Sequence, residues 1–325
     1  MTQLIDILRS LADPTRLRII ALLRVLELSV GEIAQILEQS QPRVSRHVRI
    51  LAEAGLVERR KEGSWVFLRL SPGKATDALR EFLGAVPLSA AEQNIVDLDL
   101  VALRTVQAER AAAASRYFAD HAEQWDAIRS LHVAEAEVEQ AMLRLMQNRR
   151  LGHVLDVGTG TGRVAELFAP SARRVTALDR SPEMLRLARA RLTAHDWPVE
   201  LLQGDFYALP LGAESADTII FHQVLHYAQA PDQVIAEAAR VLRPGGHILI
   251  VDFASHDREE LRTRDAHARL GFSDAQIRGW FASTGLLVEA SDALSGGELT
   301  VRLWLGRRRS DDNPARQEEA LRNAA

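Results

Sequence analysis

The sequence predicts an α/β chain in two parts: a small α+β unit of short helices closed by a β-hairpin, followed by a larger, mainly parallel sheet flanked by helices. Three observations carry this expectation. A length of 325 residues suits two domains at roughly 150 residues each. Short amphipathic patterns fill the first 85 residues and end in an alternating stretch interrupted by a turn. From Leu151 onward, apolar strand-like runs alternate with helical patterns, the signature of a sheet with helical crossovers.

In residues 1–85, LIDILRSLA, PTRLRIIALLRVL, VGEIAQIL and PRVSRHVRILAEAG read as successive helices. In VERRKEGSWVFLRL, Val57 and Arg59 alternate before a Glu62-Gly63 turn, and Trp65, Phe67 and Leu68 follow it, which predicts a hairpin. Residues 86–150 carry almost no glycine or proline after Pro87. Their apolar residues recur at helical spacing through Val96, Leu100, Leu103 and Val106, then from Tyr117 to Leu145, so the segment is expected to be a helical connector. Residues 151–309 hold the strand-like runs HVLDV, RVTALD, VELLQGD, DTIIFH, HILIVDF and TVRLWL, and residues 310–325 read as a charged tail.

Composition narrows the function classes. At 47% hydrophobic and 26% charged residues the chain is a folding one rather than a disordered one. Zero cysteine removes disulfides, thiolate metal sites and cysteine nucleophiles together. No apolar run approaches the ~18 residues of a spanning helix, and charges interrupt the first helix where a signal peptide would be apolar. A soluble, cytoplasmic protein with no membrane partner is expected. The net charge of −4 is uneven, with 13 Arg/Lys against 10 Asp/Glu in residues 1–85.

That first stretch has the parts of a DNA reader in order. A helix-turn-helix needs a first helix crossing the backbone, a tight turn, and a second helix whose early residues face the major groove. VGEIAQIL, the turn EQSQ and PRVSRHVRILAEAGL supply them, with Pro42 in the first turn and Ser40 or Gln41 expected to cap it. Val44, Val48 and Leu51 should seat this helix, leaving Gln41, Arg43, Ser45, Arg46 and Arg49 for phosphate or base edge. Arg59, Arg60 and Lys61 lie on one arm of the hairpin, where a wing would follow the duplex and release counterions.

LADPTRLRIIALL, ELSVGEIAQIL and QPRVSRHVRILAEAGLVERRKEGSWVFLRL resemble the winged-helix repressors of the ArsR/SmtB class over about residues 4–85. The resemblance implies a winged helix-turn-helix fold, an operator on double-stranded DNA, and a homodimer formed through the first helix and the connector after Gly84. It also exposes a departure. Where many arsenic-sensing members carry Cys-x-Cys, this chain has Ser29 and Gly31, which offer no thiolate. Ser29 is instead placed to cap the helix that follows. No metal site is expected.

HVLDVGTGTGRVAELF reads as strand, glycine loop and helix, with Gly158, Gly160 and Gly162 in the loop. A dinucleotide fingerprint would need glycine where Arg163 stands, and a triphosphate loop would need Gly-Lys-Ser/Thr, which is missing. Asp156 at the strand end would repel a pyrophosphate. It suits a ligand that brings an ammonium and a sulfonium to the turn, which points to S-adenosylmethionine. Asp179, 23 residues on at the end of the next strand, is placed to accept from ribose hydroxyls. Asp205 can accept from an adenine amine, with Phe206 covering the ring.

These acids and VLRPGGHILIVDF resemble the class I S-adenosylmethionine-dependent methyltransferases, Rossmann-like in fold, over roughly residues 115–305. By that resemblance, Asp156, Gly158, Gly160, Gly162, Asp179, Arg180, Asp205 and Phe206 are cofactor contacts, with Tyr117 and Trp125 capping the pocket. Methyl transfer is an in-line displacement, so positioning supplies most of the rate and a base is needed only when the nucleophile arrives protonated. His222, His226, Asp252 and His256, with His267 beyond them, lie near the expected substrate edge as candidates for acid/base work or orientation.

The fused architecture resembles that of bacterial regulators responding to S-adenosylhomocysteine, which implies a dimeric regulator coupling ligand state to operator binding. Two alternatives stand beside it: an active small-molecule methyltransferase whose winged helix autoregulates its operon, and a methyltransferase whose winged helix binds a protein or nucleic-acid substrate. Arsenic methylation is not expected, because the related enzymes hold the metalloid through cysteines.

Overall fold

The computed structural model describes residues 2–62, 65–122, 125, 134–193, 195, 197–295 and 297–310. It forms two compact units, Met1–Ala114 with Asp257–Glu259, and Ser115–His256 with Glu260–Ala325.

The first unit begins with α1 (Thr2–Leu11) and α2 (Pro14–Leu23). Asp13 starts α2 by accepting from the Arg16 amide at 3.1 Å, and Pro14 occupies the first turn, where a missing N–H costs nothing. The two-residue β1 (Leu28–Ser29) leads into α3 (Val30–Ile36). Ser29 and Glu32 form the reciprocal cap: Ser29 Oγ accepts from the Glu32 amide at 3.2 Å and Glu32 Oε2 accepts from the Ser29 amide at 2.7 Å.

The next helix, α4 (Gln41–Glu53), has Ser40 at its cap position, but no side chain makes the capping hydrogen bond. The expected Ser40 or Gln41 cap is therefore not formed, and Pro42 alone sets the first turn. Val44, Val48 and Leu51, spaced four and three apart, are buried on one face. They pack in a unit whose core also holds Ile19, Ile20, Ile33, Phe67 and Leu68.

The hairpin forms as expected: β2 (Val57–Glu62) pairs antiparallel with β3 (Trp65–Leu70), from Val57 opposite Leu70 to Glu62 opposite Trp65. The expected turn residue Gly63 lies outside the described residues. β1 joins the other side of β3, giving the order β1-β3-β2. The helix α5 (Lys74–Ala85) has no counterpart among the expected elements. The connector contains α6 (Ala90–His121), one helix of 32 residues. Arg18 of α2 grips its Asp99 with a fork, Nε to Oδ2 at 2.7 Å and Nη2 to Oδ1 at 2.5 Å. Leu103 and Val106 of the same helix are buried.

In the second unit, α7 (Glu135–Met146) precedes β4 (His153–Val157), α8 (Arg163–Phe168), β5 (Arg174–Asp179), α9 (Pro182–Leu192) and β6 (Val199–Gln203). Then come β7 (Ala216–His222), a short 3-10 turn Leu225–Tyr227, α10 (Pro231–Val241) and β8 (Leu242–Phe253). The unit closes with α11 (Glu260–Arg264), α12 (Asp274–Ser283), β9 (Leu286–Leu294) and β10 (Val301–Arg308). The seven strands run in the order β6-β5-β4-β7-β8-β10-β9. β6, β5, β4, β7 and β8 are mutually parallel, and β10 is antiparallel to both its neighbours.

Alternate residues of each central strand face opposite sides. Val154, Val175, Ile220 and Leu249 pack with Met142 of α7 and Phe168 of α8, whereas Leu155, Leu178, Ile219 and Ile248 pack with Ile235 of α10 and Phe281 of α12. With both faces covered, β4 is buried at every residue, its polar His153 and Asp156 included. Strand order reverses between β4 and β7, so the connections leave in opposite directions there and open a crevice at the carboxyl edge. Among the described residues, no helix is long and apolar enough to cross a membrane. Of the expected tail, residues 311–325 lie outside the described set.

Candidate cofactor cleft and DNA-reading surface

The crevice is lined first by the glycine loop. Gly158, Gly160 and Gly162 have φ of +71°, +55° and +86°, a left-handed region in which a side chain would be strained. Space demands glycine as well: a Cβ on Gly158 would stand 2.3 Å from Val224, and one on Gly162 would stand 3.1 Å from the backbone of Ala188. A Cβ on Gly160 would meet the Trp125 indole nitrogen at 3.3 Å. The amides of Gly158 and Thr159 donate to Leu178 O at 2.8 and 2.9 Å, and Arg191 holds Thr161 by its carbonyl and hydroxyl. Arg163, which broke the dinucleotide pattern, is bound to Glu139 and Glu166.

Three acids follow one another along the carboxyl edge of β4, β5 and β6. Asp156 is buried, and Thr159 Oγ1 donates to its Oδ2 at 2.6 Å. Asp179 is half-buried, accepting from the amides of Gly160 and Ser181 at 2.8 Å each. Burial raises its carboxyl above the ordinary value of 3.8, while those amides pull the other way. The Gly204 amide donates to Asp179 O at 3.0 Å, joining the third acid's turn to the second. There Asp205 accepts from the Tyr207 amide at 2.9 Å and stands 3.9 Å from the exposed guanidinium of Arg180. Phe206 is half-buried, its ring 4.8 Å from that of Tyr207.

Thus Asp156, Asp179 and the three glycines surround one loop, and Arg180, Asp205 and Phe206 extend the same edge. The fit to a sulfonium nucleoside is good. Carboxylates supply acceptors for an ammonium and for ribose hydroxyls, and a backbone stripped of side chains gives the ligand close approach.

Aromatic rings form a cluster beside the loop. Tyr117 and Phe118, near the end of α6, gather with Trp125 and Tyr227 around Met184. Phe118 lies 4.7 Å from Tyr227 and 5.3 Å from Trp125, centroid to centroid. Tyr117 donates to Asp265 at 3.4 Å, and burial together with that carboxylate pushes its hydroxyl up to about 12, so it stays protonated. Tyr117 and Trp125 were expected here. Phe118 and Tyr227 were not, and only the FHQVLHY segment drew attention to the neighbourhood of Tyr227.

Of the expected acid/base group, the fold joins two members. His226, on the turn after β7, and Asp252, on β8, are both buried and meet at 2.7 Å through Nδ1 and Oδ1. Asp252 also accepts from the His226 amide at 3.2 Å and the Phe253 amide at 2.8 Å. His222 closes β7, buried and opposite Val251. The ring of His256 stands 6.3 Å from that of Phe253, and His267, 4.2 Å from the His226 ring, is the nearer histidine.

On α4 of the first unit, Gln41, Arg43, Arg46 and Arg49 are exposed and Ser45 is half-buried, opposite the face that carries Val44, Val48 and Leu51. Arg59 and Lys61 of β2 are exposed. Arg60 lies between them in sequence. Strand alternation turns it to the other face, where it pairs with Glu27 at 3.1 Å and its guanidinium lies 5.4 Å from the Phe67 ring centre.

Comparison with known proteins finds two families along the chain. Residues 155–250 match the methyltransferase domain family, and residues 13–59 match the arsR family of bacterial regulatory proteins. Over 169 residues the chain is 36% identical to the phosphatidylethanolamine N-methyltransferase of Cereibacter sphaeroides, covering 50% of this chain and 83% of that protein. This chain belongs to the methyltransferase family, with an arsR-family domain on its N-terminal side.

The arsR-family domain is similar to the arsenical resistance operon repressor of Escherichia coli K12, 51% identical over 69 residues, 21% of this chain and 59% of that one. The methyltransferase domain is similar to the ubiquinone/menaquinone biosynthesis C-methyltransferase UbiE of Rubrivivax gelatinosus, 40% identical over 104 residues, 32% of this chain and 40% of that one. The chain therefore spans less than two thirds of either relative. A chain from the Haloferax volcanii complex of the Trm112 methyltransferase activator with a methyltransferase shares the fold of the methyltransferase domain, with a TM-score of 0.50 at 24% identity, covering 59% of this chain and 97% of that one.

Proposed function

We propose that this chain is a dimeric transcriptional regulator in which S-adenosylmethionine or S-adenosylhomocysteine, held by the methyltransferase domain, sets the affinity of the arsR-type domain for operator DNA. The observation that carries the reading is α6. Its early part is fixed to the DNA-binding unit by the Arg18–Asp99 fork, and its last turns deliver Tyr117 and Phe118 to the aromatic cluster beside the glycine loop. A ligand that orders those rings acts on the same helix that the DNA-binding unit grips, and any difference it makes to operator affinity must be returned as an equal difference in ligand affinity.

In the cleft, Asp156 would hold the ligand's ammonium end, Asp179 its ribose hydroxyls and Asp205 its adenine amine, with Arg180 and Phe206 at the rim. Bound S-adenosylmethionine supplies a methyl group activated by its sulfonium. Tyr117 and Trp125 exclude water beside it. For DNA, Arg46, Arg43 and Gln41 of α4 meet the groove, Ser45 and Arg49 the phosphates, and Arg59 and Lys61 the flanking backbone. Exposed Leu4, Ile5 and Leu8 on α1 and Ile95, Leu98 and Val101 on α6 support dimerisation through those helices.

A second reading, turnover of a small molecule with the winged helix regulating its own operon, is favoured by the buried His226–Asp252 pair, which a pure sensor does not require. Fluorescence anisotropy on a fragment of the protein's own promoter tests the coupling. The regulator reading expects at least a ~5-fold shift in DNA affinity with one of the two ligands, whereas an unchanged affinity with both would leave only the enzyme reading.

A further inference from the structure

We infer that His226 and Asp252 form a general-base pair, and that the methyl acceptor of this cleft is a neutral aromatic hydroxyl, a phenol. The inference rests on the proposed cofactor cleft and on the turnover reading of it, and names the substrate class it would serve.

Asp252 is wholly buried and His226 is 1% exposed. A carboxylate can only accept, so His226 Nδ1 carries the proton of the 2.7 Å contact, which in the neutral ring places the lone pair on Nε2. Nε2 is buried and has no hydrogen-bond partner among the described residues. A buried acceptor left open costs free energy unless something fills it, which marks Nε2 as the place where a ligand's donor arrives. Its position agrees. Val224, two residues earlier, is the side chain that a Cβ on Gly158 would strike, and Tyr227, one residue later, packs on Phe118 and Trp125 beside Gly160.

The surroundings select the acceptor. Flat rings stand around His226: Tyr227 at 4.0 Å, His267 at 4.2 Å and Phe253 at 5.1 Å. They suit a planar partner. Asp252 is committed to His226 and to two backbone amides, and Asp265 to Arg264 and Tyr117, so neither carboxylate is open to an ammonium acceptor. A carboxylic acid would arrive ionised at neutral pH and need no base. A phenol arrives protonated, and its proton must go somewhere.

In the step that follows, the phenol O–H gives its proton to Nε2 as the oxygen attacks the sulfonium methyl carbon. The new C–O bond forms while the C–S bond breaks, and its electron pair stays on sulfur as a neutral thioether. The imidazolium, held by Asp252, then releases the proton to solvent. The other titratable groups near the ring are His267 beside it, His256 on the far side of Phe253, and Tyr227, whose hydroxyl burial keeps protonated. Arg269 touches it through its backbone amide, which donates to His226 O at 2.9 Å.

The test uses the full-length protein saturated with S-adenosylhomocysteine and 4-nitrophenol as the probe, with phenolate absorbance read about one unit below the probe's own pKa. Wild type is expected to bind the probe as phenolate. His226→Gln and Asp252→Asn, shown by calorimetry still to bind S-adenosylhomocysteine, are expected to lower the phenolate fraction about 10-fold, the equivalent of one pKa unit. Nitrogen NMR of the wild-type histidines supplies a readout independent of any variant's folding: the His226 signal should show Nδ1 protonated and Nε2 bare. No phenolate with ligand-saturated wild type, equal phenolate in His226→Gln, or a proton on Nε2 would each overturn the inference. Failure of wild type to bind S-adenosylhomocysteine would instead bring down the cofactor reading on which it rests.

Discussion

Asp156 has little freedom: it is buried, fixed by the Thr159 hydroxyl, and placed just before a loop that only glycine can trace. Asp156→Ala should therefore weaken S-adenosylhomocysteine by about 2 kcal/mol, roughly 30-fold by calorimetry, with bare DNA affinity unchanged. Asp179 adds a pH dependence. In the proposed cleft ribose hydroxyls would donate to its ionised form, so ligand affinity should be full above its raised pKa and fall as pH drops through it, beginning above the ordinary carboxylate value of 3.8. For folding the sign is opposite. A pKa raised above the unfolded value contributes stability that is present below about pH 4 and lost as pH rises through the folded value. Thermal melts of the ligand-free protein and ligand titrations should move in opposite directions across that window. On DNA, Arg46→Ala should lower affinity and reduce the salt slope by about 1, while Arg60→Ala, bound to Glu27 and lying against Phe67, should lower the melting temperature more than the salt slope.

Between elements, the tie between α2 and α6 is the most exacting. Asp99 is buried and takes both arms of the Arg18 fork, whose hydrogen bonds hold the guanidinium above its usual range. Asp99→Ala leaves that guanidinium without its partner and should destabilise the first unit by roughly 3 kcal/mol, read as a lower melting temperature. Much at this scale was legible in the sequence because it depends on local pattern. Buried parallel strands such as β4 and β7 are short, mostly apolar stretches, and the helices before the hairpin repeat at 3.6 residues. β9 escaped because an edge strand exposed on one side mixes Glu289 and Asp292 with its apolar residues, and its register comes from β10, a later segment. The positions of the acids were legible for the same local reason, Asp156 being next to last in β4, Asp179 last in β5 and Asp205 two residues past β6. Phe118 meeting Tyr227, Asp99 meeting Arg18 and Arg60 meeting Glu27 were not, since each pair is far apart in sequence and only the tertiary fold brings it together.

At the scale of the whole molecule, the proposal joins two ligands of opposite kind, a polyanion and a small cationic nucleoside, through one chain. The proposed dimerisation through α1 and α6 predicts that Leu98→Glu is monomeric in sedimentation and binds operator more weakly while ligand binding in the cleft stays intact. Coupling itself is best tested by calorimetric titration of S-adenosylhomocysteine into the free protein and into its complex with an operator duplex. The account predicts that the two dissociation constants differ by the same factor by which the ligand shifts DNA affinity, and that Asp156→Ala abolishes the difference. Identical dissociation constants with and without DNA, in a protein that binds both, would contradict it.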